Sequence, residues 1–98
     1  MIHVLKTDPQ AFEAVFTGAK TYEIRYDDRG FSVGDELRLL ETKSACHDMV
    51  TNGKPLEYTG RYLLVKVTHI LRNHADGEEH RYGYGVAAGY AILSVRKL

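Results

Sequence analysis

The stretch Gly18-Ala19-Lys20-Thr21-Tyr22-Glu23-Ile24-Arg25 ends a helix, opens a strand and carries the densest set of candidate functional groups in the chain. Read as a strand from Lys20 to Tyr26, period-two alternation puts Tyr22, Ile24 and Tyr26 on one face and Thr21, Glu23 and Arg25 on the other. The first set predicts a core face, the second a chemical one. Side chains two apart on a strand face lie roughly 7 Å apart at the backbone, so Glu23 and Arg25 can meet each other or jointly grip one ligand. Lys20 has the other parity. It follows Gly18 at the start of the strand, where local twist can turn its ammonium toward the same cleft.

Upstream, Ile2 to Leu5 is short and β-compatible, with His3 alternating with the more apolar Ile2 and Val4, and this first strand ends at Lys6. Thr7-Asp8-Pro9-Gln10 reads as a helix start. Thr7 or Asp8 can cap free amides, Pro9 suits the first turn, and Gln10 can complete a capping box with Thr7. Phe12, Val15 and Phe16 follow at helical spacing, and Gly18 takes the C-cap.

Downstream, Asp27-Asp28-Arg29-Gly30 is a turn by composition. Phe31 and Val33 share one side of the next segment, which passes through Gly34-Asp35 into a strand over Leu37-Arg38-Leu39-Leu40-Glu41. Thr42 to Glu57 contains Asn52-Gly53 and Pro55 and has weak periodicity, which predicts a long loop with a short ordered piece around His47 to Val50. Tyr58 to Leu71 is the longest β-like segment, a central curved strand. Alternation places Leu63, Val65, Val67, His69 and Leu71 on one face and Leu64, Lys66, Thr68 and Ile70 on the other. Arg72 to Arg81 is polar, with Asp76-Gly77 as a turn. Glycine-rich sequence from Tyr82 to Gly89 then leads into a final strand, Tyr90 to Val95. Five or so strands with one firm helix and no βαβ rhythm predict a mainly β (α+β) chain, a small barrel with one or two helices packed on it.

At 98 residues the chain is one domain, residues 1–98, with little surplus for a second. No apolar run approaches the roughly 20 residues that span a bilayer, so no membrane partner is expected. Met1 to Lys6 lacks the pattern of a secretory signal, which predicts a cytoplasmic location. The single cysteine, Cys46, excludes an internal disulfide and reads as packed or idle. Thirteen basic and thirteen acidic side chains give zero formal net charge, so any nucleic-acid binding must be local. That favours a pocket reading one or a few nucleotides over a basic groove tracking a duplex.

The landmarks His3-x-Leu5-Lys6, Phe12, Gly18-x-Lys20-Thr21-x-Glu23-Ile24-Arg25, Asp28-Arg29-x-Phe31-x-Val33-Gly34-Asp35, Tyr58-Thr59-Gly60-Arg61 and Gly89-Tyr90-x-Ile92-Leu93-Ser94 stand in this order along the chain. With them the chain resembles a small bacterial and phage family of unknown function in the ASCH group, within the PUA-like superfamily of compact β-barrels. The resemblance runs over nearly the full chain, interrupted at residues 42–57 and 72–86. It implies a PUA-like barrel and an RNA or nucleotide ligand held in a cleft into which Gly18, Lys20, Glu23 and Arg25 project. Some ASCH-like relatives are enzymes, including an amidohydrolase on acetylated cytidine with a Lys, Thr and Glu set. Lys20 matches that lysine, but Glu23 stands where the threonine aligns, and only Glu78 and Glu79 are candidates for the acid.

The residue types suit a nucleotide. Arg25 can grip phosphate bidentately, Lys20 supplies a mobile charge, and Glu23 accepts from a base amine or ribose hydroxyl. Their spacing alone fits an exposed strand ion pair equally well. In a nucleoside amidohydrolase or ribonuclease, Lys20 or Glu23 would be the general base. The expected ligand-binding set is His3, Lys6, Lys20, Glu23, Arg25, Arg29 and Tyr90, with Tyr82, Tyr84 and Tyr90 as stacking surfaces. Tyr22 and Tyr26 read as packed. His69 reads as a satisfied core or pocket histidine, and Asp28 with Arg29 as a turn above the cleft or a local salt bridge. Cys46, His47, His74 and His80 match no zinc spacing, so neither metal nor cofactor is expected. An accessory protein-binding module is the remaining alternative, marked by an exposed apolar patch.

Overall fold

The computed structural model describes residues 1–72 and 86–98. The expected turn at Asp76-Gly77 and the candidates His74, Glu78, Glu79, His80, Tyr82 and Tyr84 lie outside the described residues. The elements are β1 (Ile2–Thr7), α1 (Pro9–Thr17), β2 (Tyr22–Tyr26), β3 (Glu36–Thr42), α2 (Cys46–Thr51), β4 (Tyr58–Arg72) and β5 (Tyr90–Lys97). The strands form one curled half-barrel sheet in the order β1-β3-β4-β5-β2, with the two short helices, so the chain is mainly β with an α+β arrangement. β1 and β3 run parallel, Leu5 beside Leu39, and the crossover between them carries α1 and β2. Every other pairing is antiparallel.

The core lies inside the curl. Leu5, Leu37, Leu39, Val65, Val67, Ala91, Leu93 and Val95 line it from the strands, and Phe12 and Val15 close it from α1. Pro9 stands in the first turn of α1, and Gly18 ends the helix with φ +84°, a left-handed conformation that an L side chain adopts at a cost. The expected capping box does not form. Asp8 is the N-cap residue but its side chain makes no cap bond. Its Oδ1 instead accepts from the Cys46 amide at 3.0 Å, anchoring the start of α2. Phe16 is exposed, its ring covered by the Arg61 guanidinium at 5.0 Å and the Lys97 ammonium at 5.8 Å.

Two expectations about strand faces are reversed. Tyr22, Ile24 and Tyr26 are 43%, 54% and 58% exposed, whereas Glu23 is 3% exposed. The partner strand decides this. Ala91 and Leu93 of β5 face the core, and they stand opposite Arg25 and Glu23. Residues directly opposite in an antiparallel pair share a face, so the charged set of β2 turns inward and its aromatic set turns out.

The second reversal is in β4. The register against β5 shifts between Val67 and His69, so one extra residue, Thr68, is inserted there. Val65 and Val67 point into the core before the bulge, and Ile70, opposite Leu93, packs against it afterwards. His69 is exposed rather than a core or pocket residue. A one-residue insertion inverts every later side chain, which plain alternation does not register. In the shorter segment before β3, Phe31 is buried while Val33 is exposed.

Candidate functional site

Where the inner face of β2 meets the end of β1, a cleft of about 320 Å³ opens, walled on its far side by α2. Lys6 and Thr7 come from β1, Lys20, Glu23 and Arg25 from β2 and its approach, and Cys46 from α2. The inward turn of β2 thus delivers charge into a cleft that Ala11, Ile24 and Met49 also line.

Glu23 is the centre of the arrangement. Its Oε2 accepts from Arg25 Nε at 3.1 Å, and its Oε1 lies 3.6 Å from Lys20 Nζ, an ion pair too long for a hydrogen bond. Oε1 is buried and has no hydrogen-bond partner among the described residues. A buried acceptor left unmet costs about 1–3 kcal/mol, so folding alone gives no reason to keep it.

The two cations are positioned by backbone. Gly18 donates its amide to the Val15 carbonyl at 3.1 Å and Lys20 donates to Ala14 at 2.9 Å, which closes the end of α1 and aims Lys20 back across the strand start. The twist anticipated after Gly18 therefore brings Lys20 to Glu23 despite its parity. Arg25 spends its outer nitrogen on β1: Nη2 donates to the Lys6 carbonyl at 3.0 Å and to Thr7 Oγ1 at 3.5 Å. Lys20 and Arg25 remain 22% and 26% exposed, accessible from the cleft.

Of the residues expected at the site, Lys6, Lys20, Glu23 and Arg25 line this one cleft. His3, Arg29 and Tyr90 do not. His3 is buried, its Nε2 2.8 Å from Asp35 Oδ2 and its ring edge-on to Phe31. The His3 hydrogen bond, followed by the Ser32 amide, holds the Asp35 carboxyl below its usual range. Arg29 donates to the Val4 carbonyl at 2.9 Å and also lies 3.9 Å from Asp28. Tyr90 packs edge-on to Tyr26 on the outer face.

Thr7, Asp8, Thr42, Cys46 and Met49 also line the cleft without having been singled out as site residues. The Asp8 signal was there, but it reads locally as a helix cap. The segment from Thr42 to Glu57 lacks a period, so nothing in it shows that α2 folds back over β2. Cys46, read as packed or idle, is exposed at the rim. Among the described residues no group of three or more His, Cys, Asp or Glu side chains is placed to hold a metal ion. No described helix is long and apolar enough to cross a membrane.

No curated protein matches the chain. Residues 2–95 match the family described as "Domain of unknown function (DUF3850)", and the protein is a member of that family.

Proposed function

We propose that the chain is an ASCH-type, PUA-like domain of the cytoplasm that binds a nucleotide or single-stranded RNA in the cleft of Lys20, Glu23 and Arg25. One observation carries the reading: the buried Glu23 Oε1 is an open acceptor between two cations. A base amine or a ribose hydroxyl supplies the donor that this oxygen lacks, while Lys20 and Arg25 offset phosphate charge. The cleft volume stands at the small end of ligand sites and suits one nucleoside rather than a duplex. Zero net charge agrees with local recognition.

The test is an amide NMR titration of labelled protein with a short mixed-sequence RNA, then with single nucleosides. Shifts concentrated at Lys6, Lys20 to Arg25 and Cys46 support the reading. No shifts with any of these ligands removes it and turns attention to the exposed tyrosines of β2 and β5 as a protein-docking face. The contact between Lys20 Nζ and Glu23 Oε1 favours a second reading, a hydrolase using Lys20 with Glu23 as its acid–base pair. Turnover of a modified nucleoside or RNA that disappears in Lys20→Ala would establish it, and no product across both ligand classes would exclude it.

A further inference from the structure

A second hollow, of about 200 Å³, adjoins the first across Lys20, which lines both. Val15 of α1 and Val95 of β5 give it an apolar floor, and Arg96 and Lys97 stand at its rim. Among the described residues no carboxylate lines it. Lys97 Nζ is committed to the Phe16 carbonyl at 2.7 Å, whereas the Arg96 guanidinium has no ion pair among the described residues. A hydrocarbon floor beside a guanidinium with no ion pair among the described residues suits a flat ring that carries an anionic linkage.

We propose that this second hollow is a subsite for the nucleotide adjacent to the one held at Glu23, with Lys20 placed on the phosphate that joins the two. The inference rests on reading the first cleft as a nucleotide site, and it narrows the ligand to a single strand of at least two linked nucleotides. Lys20 then has two partners on opposite sides, Glu23 Oε1 in the first cleft and a phosphodiester at the boundary. Arg96 is the discriminating residue, because it lines the second hollow and not the first, and among the described residues it makes no hydrogen bond or ion pair with the first cleft's charged groups.

Calorimetry with adenosine and with the dinucleotide adenylyl-adenosine separates the possibilities. The dinucleotide is expected to bind about tenfold or more tightly than the nucleoside, with a salt slope of about −0.7 for its one phosphate that adenosine lacks. Arg96→Glu should abolish that advantage and leave adenosine binding unchanged, and Arg96→Lys should keep most of it. Arg96 is exposed, so charge reversal there spares the core. Equal affinities for the two ligands, or equal weakening of both by Arg96→Glu, overturns the subsite while the first cleft stands. No binding of either ligand overturns the first reading and the subsite with it.

Discussion

Arg25 Nη2 donates to the main-chain carbonyl of Lys6 at 3.0 Å, joining β2 to β1, the two strands at opposite ends of the sheet's pairing order. Arg29 does the same two residues earlier on β1, at the Val4 carbonyl. Guanidinium groups thus bridge a seam that no backbone ladder spans, and they cover an edge that would otherwise be open to strand addition. Arg25 therefore braces the fold and lines the cleft at once. Arg25→Ala should lower stability by about 1–2 kcal/mol in urea titration and speed amide exchange in β1. Arg25→Lys should recover only part of this, because an ammonium cannot hold Glu23 and Lys6 in one planar fork.

Glu23→Gln keeps the shape of the side chain but removes its charge and replaces one acceptor by a donor. Lys20 and Arg25 then face each other without their shared anion. The variant is expected to stay folded, with stability reduced by about 1–3 kcal/mol, and to lose the nucleotide-induced NMR shifts. Full retention of those shifts would remove Glu23 from recognition.

Acid should destabilise the protein through Asp35 and Asp27. Both carboxyls are held below the ordinary aspartate value of 3.8, Asp35 chiefly by the His3 hydrogen bond and Asp27 chiefly by the Arg72 hydrogen bond. A folded value below the unfolded one stabilises the protein above pH 3.8, and the contribution fades as pH falls through the folded values. Urea midpoints from neutral pH down to about pH 2 should therefore fall most steeply below about pH 4. Asp35→Asn should start lower at neutral pH and show a shallower acid limb. An unchanged limb in that variant would mean that Asp35 takes no part.

Gly89 and Gly18 share the same φ of +84° but not the same surroundings. A Cβ on Gly18 meets nothing within 4 Å, whereas one on Gly89 would stand 2.8 Å from Cε1 of Tyr26. Gly18→Ala should cost only the backbone term, about 1–2 kcal/mol. Gly89→Ala should cost more, since the Tyr26 ring must also move and gives up its edge-on contact with Tyr90. Thermal unfolding of Gly89→Ala in a Tyr26→Ala background checks the cause, because the excess over Gly18→Ala should vanish there.

Local chemistry made much of the fold legible. Pro9 and Gly18 bound α1, β-branched and aromatic runs mark the strands, and the grouping of Lys20, Glu23 and Arg25 marks the cleft. The errors share a cause. Tyr22, Ile24 and Tyr26 are more apolar than Glu23 and Arg25, so alternation alone turns them inward. His69 follows three inward residues at even spacing until Thr68 adds one residue to β4. His3, Arg29 and Tyr90 are expected at the cleft from the family's first strand, a turn and a stacking surface, and the structure places them on Asp35, on Val4 and beside Tyr26.

By itself the sequence determined the mainly β character, the boundaries of α1 and the charged signature after Gly18, because these depend on backbone preference and on neighbours a few residues away. Only the tertiary structure decided which face of β2 is buried, where the β4 register slips, and that Asp8 ties down α2 instead of capping α1. Each of these is a pairing between residues distant in the chain. Its outcome follows from what the partner strand or helix already buries, and a single segment carries no record of that.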